Sequence, residues 1–561
     1  MLAQRLLIPA VVFASTLLVR PSAASETTLF HYPGVQNNTQ FGRALANAGD
    51  VDGDGIPDVI VGGIGTGLPG RVRVYSGHTG ALLYDFAGLD AFEDFGSAVA
   101  AVGDLNGDGH ADFAIGVRWR ATGAGGQGHV IVRSGLDGSV IFDLAGDAGG
   151  DVLGSAIAGV GDLNGDGVPD FVVGIPGSDA GGVDCGAIRA YSGSDGSVLY
   201  ERYGEHVGDS LGNAVSATGD VDGDGVGDFV VGAMYAHAGI GAGQARVYSG
   251  ATGTLLWVFV GDASDDRFGT SVAGPGDLDG DGYADILVGG PENDVGGNKA
   301  GMVRVYSGAT GATLLTLYGT QAGAYFGFGA SGAGDIDGDG HPDLIVGAPG
   351  YSSSFQTANG RVFLYSSTGQ LLDSFSGVQT DDALGMTTAR AGDLDGDGVE
   401  DLLIGVPNED AGGIHCGGAR CDSGAICFTH QVCTATPNST GVPASIASAG
   451  SLNVSANDFT LLAQSLPQST FGYFFYGQTQ AQIPFGPGFR CVAGTLYRLP
   501  PVVGVNGTAA RTLDFTQPPQ PGGQILPGSV WYFQCLYRDA APQAAPYFFN
   551  LTPALKVAFC P

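Results

Sequence analysis

Lysine is almost missing from this chain. Its 561 residues hold 56 Asp and Glu against 22 Lys and Arg, and the only lysines are Lys299 and Lys556. A formal net charge of −34 with no basic patch excludes nucleic acid and anionic membrane surfaces as expected partners. Catalytic signatures are missing too: there is no nucleophile elbow, no H-E-x-x-H and no Gly-rich phosphate loop, and paired carboxylates have another explanation below. After Leu18 no apolar run is long enough to cross a membrane. Cysteine is sparse. Cys185 stands alone, Cys416, Cys421, Cys427 and Cys433 crowd together, and Cys491, Cys535 and Cys560 fall in the C-terminal region. No C-x-x-C pair is present, so disulfides are expected rather than a zinc site.

What the chain has instead is glycine, 100 residues of it, and aspartate set in one recurring phrase. The pattern G-D-[LIV]-[DN]-G-D-G-x-x-D occurs seven times at intervals of 54 to 58 residues, which marks a structural repeat. Positions 1, 3, 5, 7 and 9 are Asp50, Asp52, Asp54, Ile56 and Asp58 in the first copy and Asp104, Asn106, Asp108, His110 and Asp112 in the second. They are Asp162, Asn164, Asp166, Val168 and Asp170 in the third, and Asp220, Asp222, Asp224, Val226 and Asp228 in the fourth. The fifth has Asp277, Asp279, Asp281, Tyr283 and Asp285, and the sixth Asp335, Asp337, Asp339, His341 and Asp343. The seventh has Asp393, Asp395, Asp397, Val399 and Asp401.

Carboxylates at positions 1, 3, 5 and 9 and a main-chain carbonyl at 7 can surround one ion with hard oxygens, and Ca²⁺ takes six to eight of these. Glycines at positions 4 and 6 allow the tight wrap. An EF-hand closes instead with Glu at position 12 between helices. Here the flanking runs, such as Phe171-Val172-Val173-Gly174, are short, apolar and branched, which predicts strands. A metal-free acidic turn would account for one copy, not for seven. Seven Ca²⁺ would offset +14 of the acidic charge, leaving about −20. At position 7 the ligand is the main-chain carbonyl, so the rings of His110 and His341 are expected to be incidental.

Met1 to Ser25, with Arg5, an apolar core from Leu6 to Leu18 and small residues at Ser22-Ala23-Ala24-Ser25, has the form of a secretory signal peptide. The mature protein is expected outside the cytoplasm, secreted or at the cell surface.

Each repeat contains four strand-like pieces. In sequence order they are strand A (Ser97-Ala98-Val99-Ala100), the acidic loop, strand B (Phe113-Ala114-Ile115-Gly116), strand C (as in Arg71 to Gly77) and strand D (as in Leu82 to Phe86). Four antiparallel strands repeated seven times predict an all-β chain built on a seven-bladed β-propeller. The last repeat has A, B and a strand C around Gly418-Ala419-Arg420 but departs from the D pattern. Thr28 to Tyr32, ahead of the first repeat, reads as the missing outer strand that closes the ring and hides both sheet edges. Ala425 to Thr429 is the competing candidate.

These residues resemble the FG-GAP repeat family, the β-propeller of integrin α subunits. The resemblance is carried by Phe41-Gly42, Phe95-Gly96, Phe268-Gly269 and Phe326-Gly327, by the seven acidic loops and by Gly347-Ala348-Pro349 after strand B. Leu replaces Phe at 153, 211 and 384, and repeats 1, 2 and 4 lack the proline. It covers residues 27 to 430 and implies the propeller fold, bound calcium and ligand binding.

The expected organisation is a signal peptide at 1–25, the propeller at 26–430, a linker at 431–441 and a smaller β-sandwich of unassigned family at 442–561. In that last part Phe471 to Gly477 and Val530 to Cys535 alternate with period 2, which predicts aromatics on a buried face. The leading expectation for function is a monomeric, calcium-stabilised binding or adhesion protein whose partner is a protein or a glycan. In an up-and-down blade the B–C and D–A loops lie at the end opposite the acidic loops. The B–C loops contain Arg118, Trp119, Arg120, Tyr235, His237, Tyr351 and Phe355, the residue types favoured at binding hot spots. The alternative is a secreted polysaccharide lyase or hydrolase with a site on those same loops.

Overall fold

In strand B of every blade, from Asp58–Gly63 through Asp401–Val406, all six residues are buried. A strand covered on both faces needs apolar side chains in both directions, which is why runs such as Asp-Phe-Val-Val-Gly-Ile are continuous instead of alternating. A computed structural model describes residues 28–34, 39–121, 125–236, 241–352, 358–396, 398–409 and 418–422, and shorter stretches between 429 and 558. The described residues are all-β, and they contain seven four-stranded antiparallel sheets.

Blade 2 shows the plan. Strands A (Phe95–Gly103), B (Asp112–Val117), C (His129–Arg133) and D (Val140–Ala145) hydrogen-bond in sequence order, with Val99 opposite Ile115, Ile115 opposite Ile131, and Ile131 opposite Asp143. Blades stack face to face. Ile60, Val72 and Val74 of blade 1 share a core with Phe113, Ile115, Val117 and Ile131 of blade 2, each such side chain contributing about 1.5–3 kcal/mol on burial. Strand A of each blade touches strand A of the next, and that of the last touches the first.

The Phe-Gly step at the start of each repeat is a joint between blades. Gly128, ahead of strand C in blade 2, bridges to Leu153 of blade 3, and Gly186–Leu211, Gly243–Phe268, Gly301–Phe326 and Gly360–Leu384 repeat this bridge. The leucines at 153, 211 and 384 are as buried as the phenylalanines, so the departure from Phe leaves the joint intact. The glycine after them is required: at Gly154, with φ +86°, a Cβ would stand 2.5 Å from the His129 carbonyl oxygen.

The ring closes as expected. Thr28–Pro33 pairs antiparallel with Gly418–Asp422, so the order in the last sheet places the first strand of the chain outside strands C, B and A of blade 7. Tyr32 is buried and stacks on Tyr75 of blade 1 at 4.3 Å between centroids. Asn47 donates to the Ala391 carbonyl and the Thr387 hydroxyl to that of Gly42, both at 2.8 Å. The competing outer strand falls mostly outside the described residues, and Thr429–Val432 pairs with Ala554–Ala558 instead.

The C-terminal part has its own core. One sheet runs through Thr429–Val432, Ala554–Ala558, Val530–Arg538, Phe471–Gly477 and Tyr497–Arg498, and a second joins Ser445–Ala449, Thr460–Gln464 and Ala509–Thr512. Trp531, Phe533, Cys535 and Tyr537, alternate residues of one strand, pack with Phe474 and Tyr476 and with Ile446, Leu461 and Ala463 of the second sheet. The period-2 aromatics are core. Cys185 and Cys535 are buried free thiols, and burial pushes the Cys535 thiol up to about 12. The side chains of the other cysteines, on which the disulfide expectation rests, lie outside the described residues, as do the signal segment and most of the linker. Among the described residues no helix is long and apolar enough to cross a membrane.

Candidate metal centres and the opposite loop face

The seven acidic loops connect strands A and B, and in every one the position-6 N–H donates to the position-1 carboxylate. In blade 1 the Asp50 carboxylate accepts the N–H groups of Gly53 at 2.7 Å, Asp54 at 3.0 Å and Gly55 at 2.9 Å. Asp52 accepts from Asp54 at 3.2 Å, and Asp54 from Ile56 at 2.9 Å. These bonds wind the backbone around the side chains, which only glycine at positions 4 and 6 allows: φ is +77° at Gly53 and +90° at Gly55. In blades 2 and 3 the amide oxygens of Asn106 and Asn164 accept from Asp108 and Asp166 at 2.9 and 2.8 Å, so Asn fills the place of Asp at position 3.

Position 9 has a second task that the sequence pattern does not display. Asp58, Asp112, Asp170, Asp228, Asp285, Asp343 and Asp401 are all fully buried. In blade 3 one oxygen of Asp170 accepts the Leu163 N–H of its own loop at 2.8 Å, and the other accepts the Gly193 N–H of the C–D hairpin at 2.9 Å. The same two-sided bond recurs at Asp58, Asp112, Asp228, Asp285 and Asp343. It bolts the acidic loop to the C–D hairpin and sets both at one end of the propeller.

Ligand oxygens of Asp50, Asp52 and Asp58 lie within 4.8 Å of one another, as do those of Asp220, Asp222 and Asp228, of Asp277, Asp279 and Asp285, of Asp335, Asp337 and Asp339, and of Asp393, Asp395 and Asp401. Oxygens bound to one Ca²⁺ at 2.3–2.6 Å stand at most about 5 Å apart, so each group fits around a single ion. Charge agrees with geometry. Burial, with the neighbouring carboxylates adding to it, pushes Asp58, Asp228 and Asp285 up to about 6 and Asp343 up to about 7. Among the described residues no arginine or lysine is paired with the loop aspartates of blades 1, 4 or 5. The donors are all hard oxygens without a cation from the protein, and such clusters can hold metal ions. Asp397 lies outside the described residues.

The ring of His110 is not incidental. Its Nδ1 stands 2.8 Å from the Val51 carbonyl oxygen of the neighbouring blade's loop, and it covers Gly53, where a Cβ would meet it at 2.8 Å. His341 lies in the same way over Gly280 and Tyr283 over Gly223. Sequence spacing within one loop cannot display a contact made between two loops.

At the opposite end the B–C loops are held by a D–A loop or by a strand of their own blade. Arg118 pairs with Asp94 at 2.8 Å and Arg120 with Glu93 at 3.0 Å. Tyr235 lies under Arg267, 4.8 Å from ring centroid to guanidinium, and Tyr351 under Arg361 at 5.1 Å. These four expected binding residues are therefore partly engaged at home. Trp119 is 45% exposed. His237 and Phe355 lie outside the described residues. Two features escaped the sequence reading. Leu89 and Phe92 of the D–A loop between blades 1 and 2 are 78% and 80% exposed. Arg43, just after Phe41-Gly42, donates to the Gln40 side chain at 3.3 Å, forms no ion pair among the described residues, and is held below the usual arginine pKa by burial and by Arg118, with Asp94 opposing them.

With that geometry in hand, likeness to known proteins becomes interpretable. The FG-GAP repeat description matches residues 153–198, 268–306, 326–365 and 387–426, and the FG-GAP-like repeat description matches 50–115. Integrin alpha-5 of Xenopus laevis is 34% identical over 225 residues, covering 37% of this chain and 21% of the relative. Integrin alpha-V of Gallus gallus is 35% identical over 218 residues, covering 36% and 20%, and integrin alpha-IIb of Mus musculus 36% over 172 residues, covering 28% and 16%. The chain thus spans about a fifth of the length of such relatives. None of these is named as an enzyme. The five stretches so matched are FG-GAP and FG-GAP-like repeats, and over about a third of its length the chain is similar to integrin alpha subunits.

Proposed function

We propose that this is an exported, calcium-binding propeller that binds a protein or glycan ligand through its B–C and D–A loops, with one structural Ca²⁺ in each of the seven acidic loops. The observation that carries this reading is the contrast between the two ends. One end is given over to acidic loops and the hairpins bolted to them. The other exposes Leu89, Phe92 and Trp119 around blades 1 and 2, with Arg43 hydrogen-bonded to Gln40 nearby. Exposed apolar and aromatic side chains with an arginine nearby are the composition of a binding hot spot. The integrin relatives support a binding role for such a propeller, and the signal-like first 25 residues support export.

The test is a screen of the full chain, with calcium present, against arrays of glycans and extracellular proteins, with a turnover assay on every hit. Saturable binding without turnover that is lost in Phe92→Ala, Trp119→Ala or Arg43→Gln, at unchanged melting temperature, supports the reading. Binding that survives all three substitutions, or turnover of a bound polysaccharide, overturns it.

A further inference from the structure

Neighbouring acidic loops touch, but not equally at every junction. In six of the seven junctions the side chain at position 8 packs on the glycine that precedes position 1 of the preceding loop: Ala111 on Gly49, Pro169 on Gly103, Ala284 on Gly219, Pro342 on Gly276, Glu400 on Gly334 and Pro57 on Gly392. A hydrogen bond is a different matter. Proline has no N–H, so Pro57, Pro169 and Pro342 can only pack. The Ala111 N–H donates to the Asp50 carbonyl at 2.9 Å, and the Ala284 N–H to the Asp220 carbonyl at 3.1 Å. At these same two junctions a position-7 ring also covers the neighbour, His110 on Val51 and Gly53 and Tyr283 on Gly223; His341 covers Gly280 as well, but Pro342 beside it leaves that junction without the N–H bond.

From this we infer that the metal loops do not act as seven equal sites: loops 1 and 2 form one coupled pair, loops 4 and 5 another, and loop 3 is uncoupled from loop 2. The inference rests on the metal reading of the loops. His110 supplies the carbonyl that would hold the ion of loop 2, and Ala111 stands between it and the Asp112 carboxylate that would close the site. An ion there fixes both, and they in turn hold the peptide units of Asp50 and Val51, which begin loop 1. Ordering that one ion has already brought about need not be repeated by the second, which is positive coupling. Between loops 3 and 2 the equivalent residues are Val168 and Pro169, and a Cβ at Gly107 would meet nothing within 4 Å. His110, Ala111, Tyr283 and Ala284 are thus positioning residues for the neighbouring loop.

The experiment is equilibrium Ca²⁺ binding by flow dialysis on the full chain, with inductively coupled plasma counting of bound ions. Asp104→Ala, which removes the position-1 ligand of loop 2, is expected to lose that ion and to weaken loop 1 at least about fivefold, the lower end of ordinary coupling. Asp50→Ala must weaken loop 2 by the same factor, since coupling is reciprocal. Asp162→Ala in loop 3 loses one ion and leaves loop 2 alone. Writing the loop 3 sequence into blade 2, as His110→Val/Ala111→Pro, brings the factor between loops 1 and 2 to about one. Loss of a single ion in Asp104→Ala with the remaining affinities unchanged overturns the coupling while leaving the metal reading intact. A parent chain that binds no Ca²⁺ overturns both.

Discussion

Asp170 offers the sharpest test of what holds an acidic loop in place, because its role can be separated from metal binding. Its carboxylate is fully buried and accepts Leu163 N–H at 2.8 Å and Gly193 N–H at 2.9 Å. Each bond to a charged group contributes about 1.5–3 kcal/mol, and its loss leaves a buried donor without an acceptor. Asp170→Ala removes both, so it is expected to cost about 3–6 kcal/mol. Asp170→Asn keeps one acceptor oxygen but turns an NH₂ toward the other donor, so it costs at least one bond, about 1.5–3 kcal/mol. The assay is urea unfolding at pH 8 in excess chelator, where no ligand is lost, read as the change in midpoint at unchanged slope. Asp170→Ala within about 1 kcal/mol of the parent would refute the bolt between loop and hairpin, as would Asn proving costlier than Ala.

Chelation itself should lower stability steeply: a ligand tenfold above its Kd adds about 1.4 kcal/mol per site, and seven sites approach about 10 kcal/mol, the stability of a typical domain. Calorimetric melting with and without chelator checks this, Asp281→Ala should cost more than Asp279→Asn, and unchanged melting in excess chelator would remove calcium from the account of stability. Tyr32→Ala, by deleting the buried ring stacked on Tyr75, should cost about 3–5 kcal/mol and loosen blade 7, seen as faster hydrogen exchange in Gly418–Asp422; exchange confined to blade 1 would contradict the closure. Asp262 is held below its ordinary pKa by its hydrogen bond to Arg304. A depressed acid stabilises the fold above its unfolded value near 4 and loses that contribution as pH falls through the folded one. The small stability gap between the parent and Asp262→Asn should therefore be present at pH 5 and close at lower pH, and a gap independent of pH would rule this out.

Much of the fold was legible because its signals are local. Continuous apolar runs gave strand B, the period-2 aromatics around Trp531 gave a buried sheet face, and the lone strand at Thr28 to Tyr32 could be matched to the blade that lacked one. The regular spacing of acids identified each loop as a possible ion cradle. What the sequence withheld are contacts between segments that are distant in the chain. Arg118 and Arg120 read as free hot-spot residues until Asp94 and Glu93, in the loop that enters the same blade, are seen beside them. His110 read as incidental because its acceptor, Val51, belongs to the preceding repeat. Position 9 read as a ligand only, since nothing in a loop announces that a hairpin twenty residues on will donate to its far oxygen.

The pairing of Thr28–Pro33 with Gly418–Asp422 also governs the order of assembly. The outer strand of the last blade is synthesised first and must wait, unpaired, until every other blade exists. Closing a loop of that length from a disordered chain would cost roughly 5 kcal/mol in chain entropy, but stacked blades bring the two ends together and most of that cost is met stepwise. An incomplete chain, by contrast, exposes the edge of its newest blade and a dangling apolar strand, the two features that proteases and aggregation select against. The closure thus works as a completeness check, in which only a chain translated past Asp422 can complete the four strands of its last blade.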